Sequence, residues 1–274
     1  MSDGERKLRL AVPGAAGKMG RMILKVIAET PGMLLVSAVE RPGSTFLGND
    51  AGSVAGLGQL GVEIRSELDD AMANADVIID FTAPAATAWT VSRAAEHEVG
   101  VVIGTTGLGE AEKRAVWQAS ERIPIVLSAN MSLGVNVLFG LLAQAARALG
   151  DDYDVEIVEL HHRHKKDAPS GTALAMASTL AEALGRDLSK VARYGREGLP
   201  GARASDEIGI HAVRGGDIVG EHTAYFCGLG ERLEITHRAS SRETFARGAV
   251  RAAAWLRDRD PGLYDMQDVL GLRK

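Results

Sequence analysis

The chain has 274 residues, enough for two modest domains, and its 46% hydrophobic and 24% charged residues are ordinary globular values. A formal net charge of −5 with scattered basic residues excludes the electrostatic footprint of a nucleic-acid or acidic-membrane partner. One cysteine, Cys227, excludes an internal disulfide and fits a reducing cytoplasm. The N-terminus is polar and leads into a short strand, so no signal peptide is expected, and the first six residues read as a frayed tail. No apolar run approaches the ~20 residues of a membrane span.

Residues 7–12 form an apolar-rich strand, and residues 21–29 form a helix. Between them Gly14, Gly17 and Gly20 make a G-x-x-G-x-x-G string. In a strand–helix setting such glycines permit a tight turn, close approach of backbone to a pyrophosphate, and close helix–strand packing. The helix start then offers N–H donors and a positive dipole end to phosphates. Residues 33–39 read as a second strand ending at Glu40, where an acid meets a ribose hydroxyl, and Arg41 can pair with a 2′-phosphate. Glu40 points to NAD and Arg41 to NADP, so together they imply tolerance of both.

Strands at 76–82, 100–106 and 123–130 alternate with helices at 85–97 and 110–122. That alternation implies a doubly wound parallel sheet with ligand at the carboxyl ends of the strands. Phe81, Thr82, Gly104, Thr105, Ala129 and Asn130 lie at such ends and are candidates to line a nicotinamide pocket, or else serve as caps and turn formers.

From Met131 the pattern changes. Residues 132–149 are a long apolar helix, 154–160 an alternating half-buried strand, 172–184 a helix and 187–204 a polar loop. Strand-like runs at 208–213, 218–226 and 232–237 follow with turns and no helices between them, which implies an antiparallel or mixed sheet. A last helix at 244–257 is expected to pack back on the first domain. The fold class is therefore α/β, a Rossmann-like parallel sheet followed by an α+β domain, divided as 1–131 with 240–274 and 132–239. An open sheet in a small domain invites self-association.

The segment between strand and helix carries the chemistry. His161, His162 and His164 with Arg163, Lys165 and Lys166 fill six consecutive positions, followed by Pro169, Ser170, Gly171 and Thr172. Pro169 stops the strand, Ser170 is a natural N-cap and Gly171 admits backbone close to a ligand. Adjacent strand-end histidines face opposite ways and the lysines repel cations, which disfavours a metal site. A solvated basic face is the bland alternative. The favoured reading is an anion-binding, proton-donating site, with histidine as general acid and the helix N–H groups and hydroxyls holding a carboxylate. Cys227, inside a strand-like run and without a nearby partner, reads as a small core residue rather than a nucleophile.

Glu159-x-His-His-x-x-Lys-x-Asp-Ala-Pro-Ser-Gly-Thr-Ala173 resembles the signature of the 4-hydroxy-tetrahydrodipicolinate reductase family. The resemblance extends to Gly14-Ala-Ala-Gly-Lys-Met-Gly20, Asp80-Phe-Thr82, Val102-Ile-Gly-Thr-Thr-Gly107, Asn130-x-Ser-x-Gly-Val-Asn136, Gly215 through His222 in outline, and Glu234-Ile-Thr-His237. It implies that His161 is the proton donor, that Lys165 is a second donor or carboxylate ligand, and that His162, Gly171 and Thr172 contact substrate, joining Ser170, which the helix start itself makes a candidate. It implies cofactor contacts from Gly14, Ala15, Ala16, Gly17, Lys18 and Met19, from Glu40 and Arg41, and from Gly104, Thr105 and Thr106. Ser128, Ala129, Asn130 and Met131 complete that set, with Ser128 and Met131 standing where alanine and phenylalanine are common in the family. The implied reaction is NADPH- or NADH-dependent reduction of a cyclic dicarboxylate by a homotetramer, while the residues themselves point to the cytoplasm and away from a metal. A different Rossmann oxidoreductase and a nucleotide sensor without turnover are the competing readings.

Overall fold

The computed structural model describes residues 6–272. In chain order the first elements are β1 (Leu8–Pro13), α1 (Lys18–Glu29), β2 (Met33–Val39), α2 (Ala51–Ala55), β3 (Ile64–Arg65) and α3 (Leu68–Met72). Next come β4 (Val77–Asp80), α4 (Pro84–Glu96), β5 (Gly100–Ile103), α5 (Glu110–Ser120) and β6 (Pro124–Leu127). Then follow α6 (Leu133–Leu149), β7 (Asp154–His161), α7 (Gly171–Ala183), α8 (Leu188–Val191), β8 (Ala192–Tyr194), β9 (Ile208–Arg214), β10 (Gly220–Cys227) and β11 (Arg232–Ala239). The chain closes with α9 (Glu243–Leu256), β12 (Gly262–Tyr264) and α10 (Met266–Val269). Two compact units result, Met1–Ser132 with Glu243–Lys274, and Leu133–Arg242. All but Arg6 of the expected N-terminal tail falls outside the described residues, and Arg6 itself donates to Asp76 at 2.8 Å.

The first unit holds a seven-stranded sheet in the order β12-β6-β5-β4-β1-β2-β3, with every pairing parallel. Its inner strands β4 and β5 are buried at every position because helices cover both faces, so they read as continuous apolar runs rather than alternations. The order reverses between β1 and β4. In open parallel sheets the crevice outside the carboxyl ends at such a switch point is where ligands bind. Helix α1 buries Ile23, Leu24, Val26 and Ile27, and α9 packs against α1 and β4–β6 within the same unit. That packing is tight: a Cβ on Gly248 of α9 would stand 1.7 Å from the Met131 carbonyl oxygen.

The second unit is a mixed five-stranded sheet in the order β11-β10-β7-β9-β8. Central β7 pairs antiparallel with β10 and parallel with β9. Val155, Ile157, Ile208, Ile210, Ala224 and Phe226 form the inward rows and pack with Leu138, Leu142 and Ala146 of α6 and Met176, Ala177 and Leu180 of α7. The stretch Leu133–Asp152, 20 residues, is long and apolar enough to cross a membrane by length and composition, which corrects the expectation that no run reaches that size. Its apolar stripe is in contact with a sheet, the ordinary role of such a helix. Cys227 is likewise corrected: it is half-buried, not in the core, because Phe226 takes the inward phase of β10 and the next residue turns to the other face.

Candidate active site

At the carboxyl end of β1 the chain turns through Gly14, whose φ of +68° is open to glycine at little cost. The Gly17 N–H closes the turn on the Gly14 carbonyl at 3.0 Å, and α1 begins at Lys18 with no side chain capping it. The first-turn N–H groups of α1, around Lys18 and Met19, thus stand at a positive dipole end without a protein cap. Gly20 is buried against the loop, where a Cβ would lie 2.1 Å from the Gly14 oxygen and 2.7 Å from the Ala15 oxygen. Glu40, just past β2, accepts the Ala16 N–H through Oε1 at 3.0 Å, tying the strand-end acid to the loop. Arg41 beside it is exposed. Arg21 donates to the Ala16 carbonyl at 2.8 Å and lays its guanidinium 5.1 Å from the centre of the Phe46 ring.

The neighbouring strand ends continue this rim. A Cβ on Gly14 would meet Thr82 at 3.1 Å, and one on Gly104 would sit 2.2 Å from the Phe81 ring. The Gly104 N–H bonds the Asp80 carbonyl at 2.9 Å, and the Ser128 N–H bonds the Ile103 carbonyl at 3.1 Å. Asp80 is fully buried and accepts from the Thr82 N–H at 2.8 Å and its hydroxyl at 2.6 Å. Burial pushes its carboxyl up, against the pull of the surrounding threonine hydroxyls. Thr105 is buried and bonded to Thr87 at 2.8 Å, so it braces the rim, while Thr106 is exposed on it. The Ser128 hydroxyl donates to the Asn130 carbonyl at 2.9 Å; Ala129 is exposed and Met131 is buried. Residues expected to touch a dinucleotide therefore occupy contiguous strand ends, and the loop's missing side chains and open helix start fit a pyrophosphate.

In the second unit the inward phase of β7 reads Val155, Ile157, Glu159, His161, so the apolar rows end in an acid and a histidine. The register sets Glu159 beside Ala212 and His222, and His161 beside Arg214. Glu159 has no exposed side-chain surface. It accepts both terminal nitrogens of Arg214 at 2.8 and 2.7 Å and the Ser170 N–H at 3.0 Å, and it meets His161 Nδ1 at 2.5 Å. Burial acts to raise its pKa, but Arg214, His161 and Ser170 outweigh burial and hold the carboxyl below its ordinary value. Ser170 caps α7, accepting from the Ala173 N–H at 3.1 Å, and its hydroxyl meets His222 Nε2 at 3.1 Å. The rings of His161 and His222 stand edge to face, 5.2 Å between centres. Burial first, then Lys165 and Arg214, lower the pKa of His161 against the opposing pull of Glu159.

Of the residues expected on this side, His161 and Ser170 are gathered into one cluster. His162 is half-buried on the turn, with Nε2 3.4 Å from Arg242. Lys165 holds Asp167 at 2.9 Å. Gly171 opens α7, and a Cβ there would meet nothing within 4 Å, so the protein itself does not need the missing side chain. Thr172 follows it, half-buried. Among the described residues no group of three or more His, Cys, Asp or Glu side chains is placed to hold a metal ion. Glu159, Arg214 and His222 belong to the site beyond the residues expected from the sequence. The available signal was an acid on the inward, apolar phase of an alternating strand.

His222 gives a pH-dependent stability. Burial, followed by the facing His161, pushes its imidazole down to about 4, with Glu159, His237 and Lys165 adding smaller effects of mixed sign. An unfolded histidine titrates near 6.5, so between those values the unfolded chain binds a proton that folded His222 does not. Its contribution is complete above pH ~6.5 and is lost as pH falls to about 4, a span of about 3 kcal/mol. Guanidinium unfolding at pH 7 and pH 4.5 should show a larger acid loss in the wild type than in His222→Gln. Equal losses would contradict this account.

A cradle that leaves helix N–H groups open beside a strand-end acid is made for a dinucleotide, and a sheltered imidazole is made for proton transfer. A chain that carries both is an oxidoreductase working with a nicotinamide cofactor. Comparison with known proteins supplies the family. Residues 8–131 match the family model described as the N-terminus of dihydrodipicolinate reductase, and residues 134–270 match the one described as its C-terminus. The chain belongs to the dihydrodipicolinate reductase family. It is 56% identical over 264 residues to the 4-hydroxy-tetrahydrodipicolinate reductase of Alkalilimnicola ehrlichii, covering 96% of this chain and 99% of the relative. It is 54% identical to the enzyme of the same name from Syntrophotalea carbinolica, covering 97% and 100%. Among solved structures, the dipicolinate-bound dihydrodipicolinate reductase of Paenisporosarcina sp. TG-14 is similar in fold, with a TM-score of 0.77, 23% identity, and 96% and 98% of the two chains covered.

Proposed function

We propose that the chain reduces 4-hydroxy-2,3,4,5-tetrahydrodipicolinate to 2,3,4,5-tetrahydrodipicolinate with loss of water, in the diaminopimelate route of lysine biosynthesis, using NADPH or NADH. The observation that carries this reading is the buried His161 at the last position of β7, next to the Ser170-capped start of α7, in a chain that matches the family from residue 8 to residue 270. A nicotinamide held along Gly104–Thr106 and Ser128–Met131 would supply a hydride to ring C4 once the 4-hydroxyl has left as water. His161 gives a proton to the adjoining ring carbon, which relieves the charge left by hydride addition. His162, Ser170, Gly171 and Thr172 hold one carboxylate through N–H groups at a helix start and a hydroxyl. Lys165 exchanges Asp167 for the other carboxylate or acts as second donor.

On this reading residues 1–131 with 240–274 bind the dinucleotide through Gly14–Met19, Glu40, Arg41, Gly104–Thr106 and Ser128–Met131. Residues 132–239 bind substrate and form a cytoplasmic homotetramer through the face of the second sheet opposite α6 and α7, where Val213 is 44% exposed. Glu40 with Arg41 supports acceptance of both cofactors. The test is oxidation of NADPH, and separately NADH, by purified protein fed with substrate made in place from pyruvate and aspartate semialdehyde by the preceding synthase. Substrate-dependent turnover with either cofactor is expected. Tight cofactor binding without turnover would move the weight to another oxidoreductase or to a sensor.

A further inference from the structure

We infer that Glu159, locked by Arg214, is a positioning residue that fixes the His161 tautomer with the proton on Nδ1, so that Nε2 is the nitrogen that exchanges the proton with substrate. The inference rests on the proposed reduction and deepens it.

The geometry assigns the nitrogens. Glu159 Oε2 lies 2.5 Å from His161 Nδ1, while both carboxylate oxygens are already held by the Arg214 fork at 2.7 and 2.8 Å, and Oε1 also takes the Ser170 N–H at 3.0 Å. An acceptor so charged and so fully engaged requires a donor from the ring, hence Nδ1–H. His161 Nε2 lies 3.0 Å from the position a Cβ would take on Gly220, so a side chain at that register would crowd this nitrogen. Arg214 has a second task. Its guanidinium also donates to the carbonyls of Asp167 at 2.8 Å and Val213 at 2.7 Å, which ties the turn bearing Lys165 to β9. The carboxylate is thereby kept ionised while the proton moves at the far nitrogen. In the step, Nε2–H of the imidazolium passes its proton to the ring carbon. His161 returns to the neutral Nδ1–H form and recovers a proton from water, and Glu159 neither gains nor loses one.

The groups that face His161 are Glu159 on its own strand, Arg214 on β9, His222 on β10 and Lys165 on the turn. Glu159 favours the imidazolium, whereas burial, Lys165 and Arg214 oppose it. The arrangement therefore presents a neutral ring whose orientation is set before substrate arrives. A dianionic substrate adds the negative charge that favours the imidazolium.

Histidine-selective 15N NMR of the wild-type protein, with His161→Gln for assignment, reads the tautomer without turnover. A protonated Nδ1 and an unprotonated Nε2 on His161 are expected, and the reverse pattern would overturn the inference. In the coupled assay, Glu159→Gln should lower kcat about 10²-fold and move the basic limb of its pH profile, where the imidazolium loses its proton, to lower pH. KM and the Kd for NADPH should stay within about 2-fold. Should the lone Arg214 charge prevent folding, Glu159→Gln combined with Arg214→Gln removes both charges and carries the same expectation for kcat, while the loosened Lys165 turn raises KM. A kcat within 2-fold of wild type in either variant would overturn the positioning role. Failure of the reductase reading is a separate result: it shows as no wild-type turnover and leaves the NMR pattern intact.

Discussion

His161→Gln lowers kcat in the coupled reduction by about 10² to 10⁴-fold, the usual worth of a positioned general acid, with little change in the Kd for NADPH. The expectation follows from where the imidazole sits. His161 is 9% exposed, closes the inward row of β7, and is held by Glu159 on one nitrogen while the other lies above Gly220. Glutamine keeps much of the shape and hydrogen-bonding capacity but cannot carry the proton. Binding of substrate through Ser170, Gly171 and Thr172 is retained, so KM moves far less than kcat. Lys165→Ala separates the two roles left open for that lysine. A carboxylate ligand raises KM, whereas a second proton donor lowers kcat at unchanged KM. Steady-state kinetics with each variant, alongside a cofactor titration, reads both. A His161→Gln enzyme with near wild-type kcat would remove the imidazole from the chemistry.

The second large effect is at Gly20. Alanine there destabilises the first unit by about 1–3 kcal/mol or more and weakens NADPH binding by at least about 10-fold. The added Cβ would stand 2.1 Å from the Gly14 carbonyl oxygen and 2.7 Å from that of Ala15. Both are backbone atoms of the loop that α1 is packed upon, so no side chain can rotate away. Either α1 slides outward or the loop opens, and each removes N–H groups from the place a pyrophosphate would take. Gly171→Ala is the control, since its Cβ meets nothing within 4 Å and stability should be unchanged. Denaturant midpoints and quenching of NADPH fluorescence measure the two quantities. A Gly20→Ala protein as stable and as tight-binding as wild type would show that the close helix–loop packing is not required.

Much of this architecture can be read in the chain because local rules and tertiary packing agree. The buried runs at Val77–Asp80 and Gly100–Ile103 have the continuous apolar character of doubly covered parallel strands. The alternation of Asp154–His161 matches a strand with helices on one side only. Ser170 caps α7 as its residue type demands. Strands β3, β8 and β12 escape because two or three residues carry no period, and they exist only through pairing with β2, β9 and β6. The partners of His161 escape for a related reason. Arg214 and His222 lie more than fifty positions from Glu159, and only the register of β9 and β10 against β7 brings them to it. A register slip of one residue would turn all three away from the cluster. Cys227 shows the reverse: a small residue in a strand-like run suggests the core, but its phase on β10 turns it to the other face.

The central claim is hydride transfer to a ring carbon of the cyclic dicarboxylate with a proton delivered beside it. The coupled reaction run with NADPH deuterated at the transferable position of its nicotinamide C4, in ordinary water, tests it most directly by NMR of the product. One deuterium at ring C4 and a solvent proton at the adjoining carbon are the expected result. Product without deuterium, or deuterium found only in the cofactor, would contradict the account.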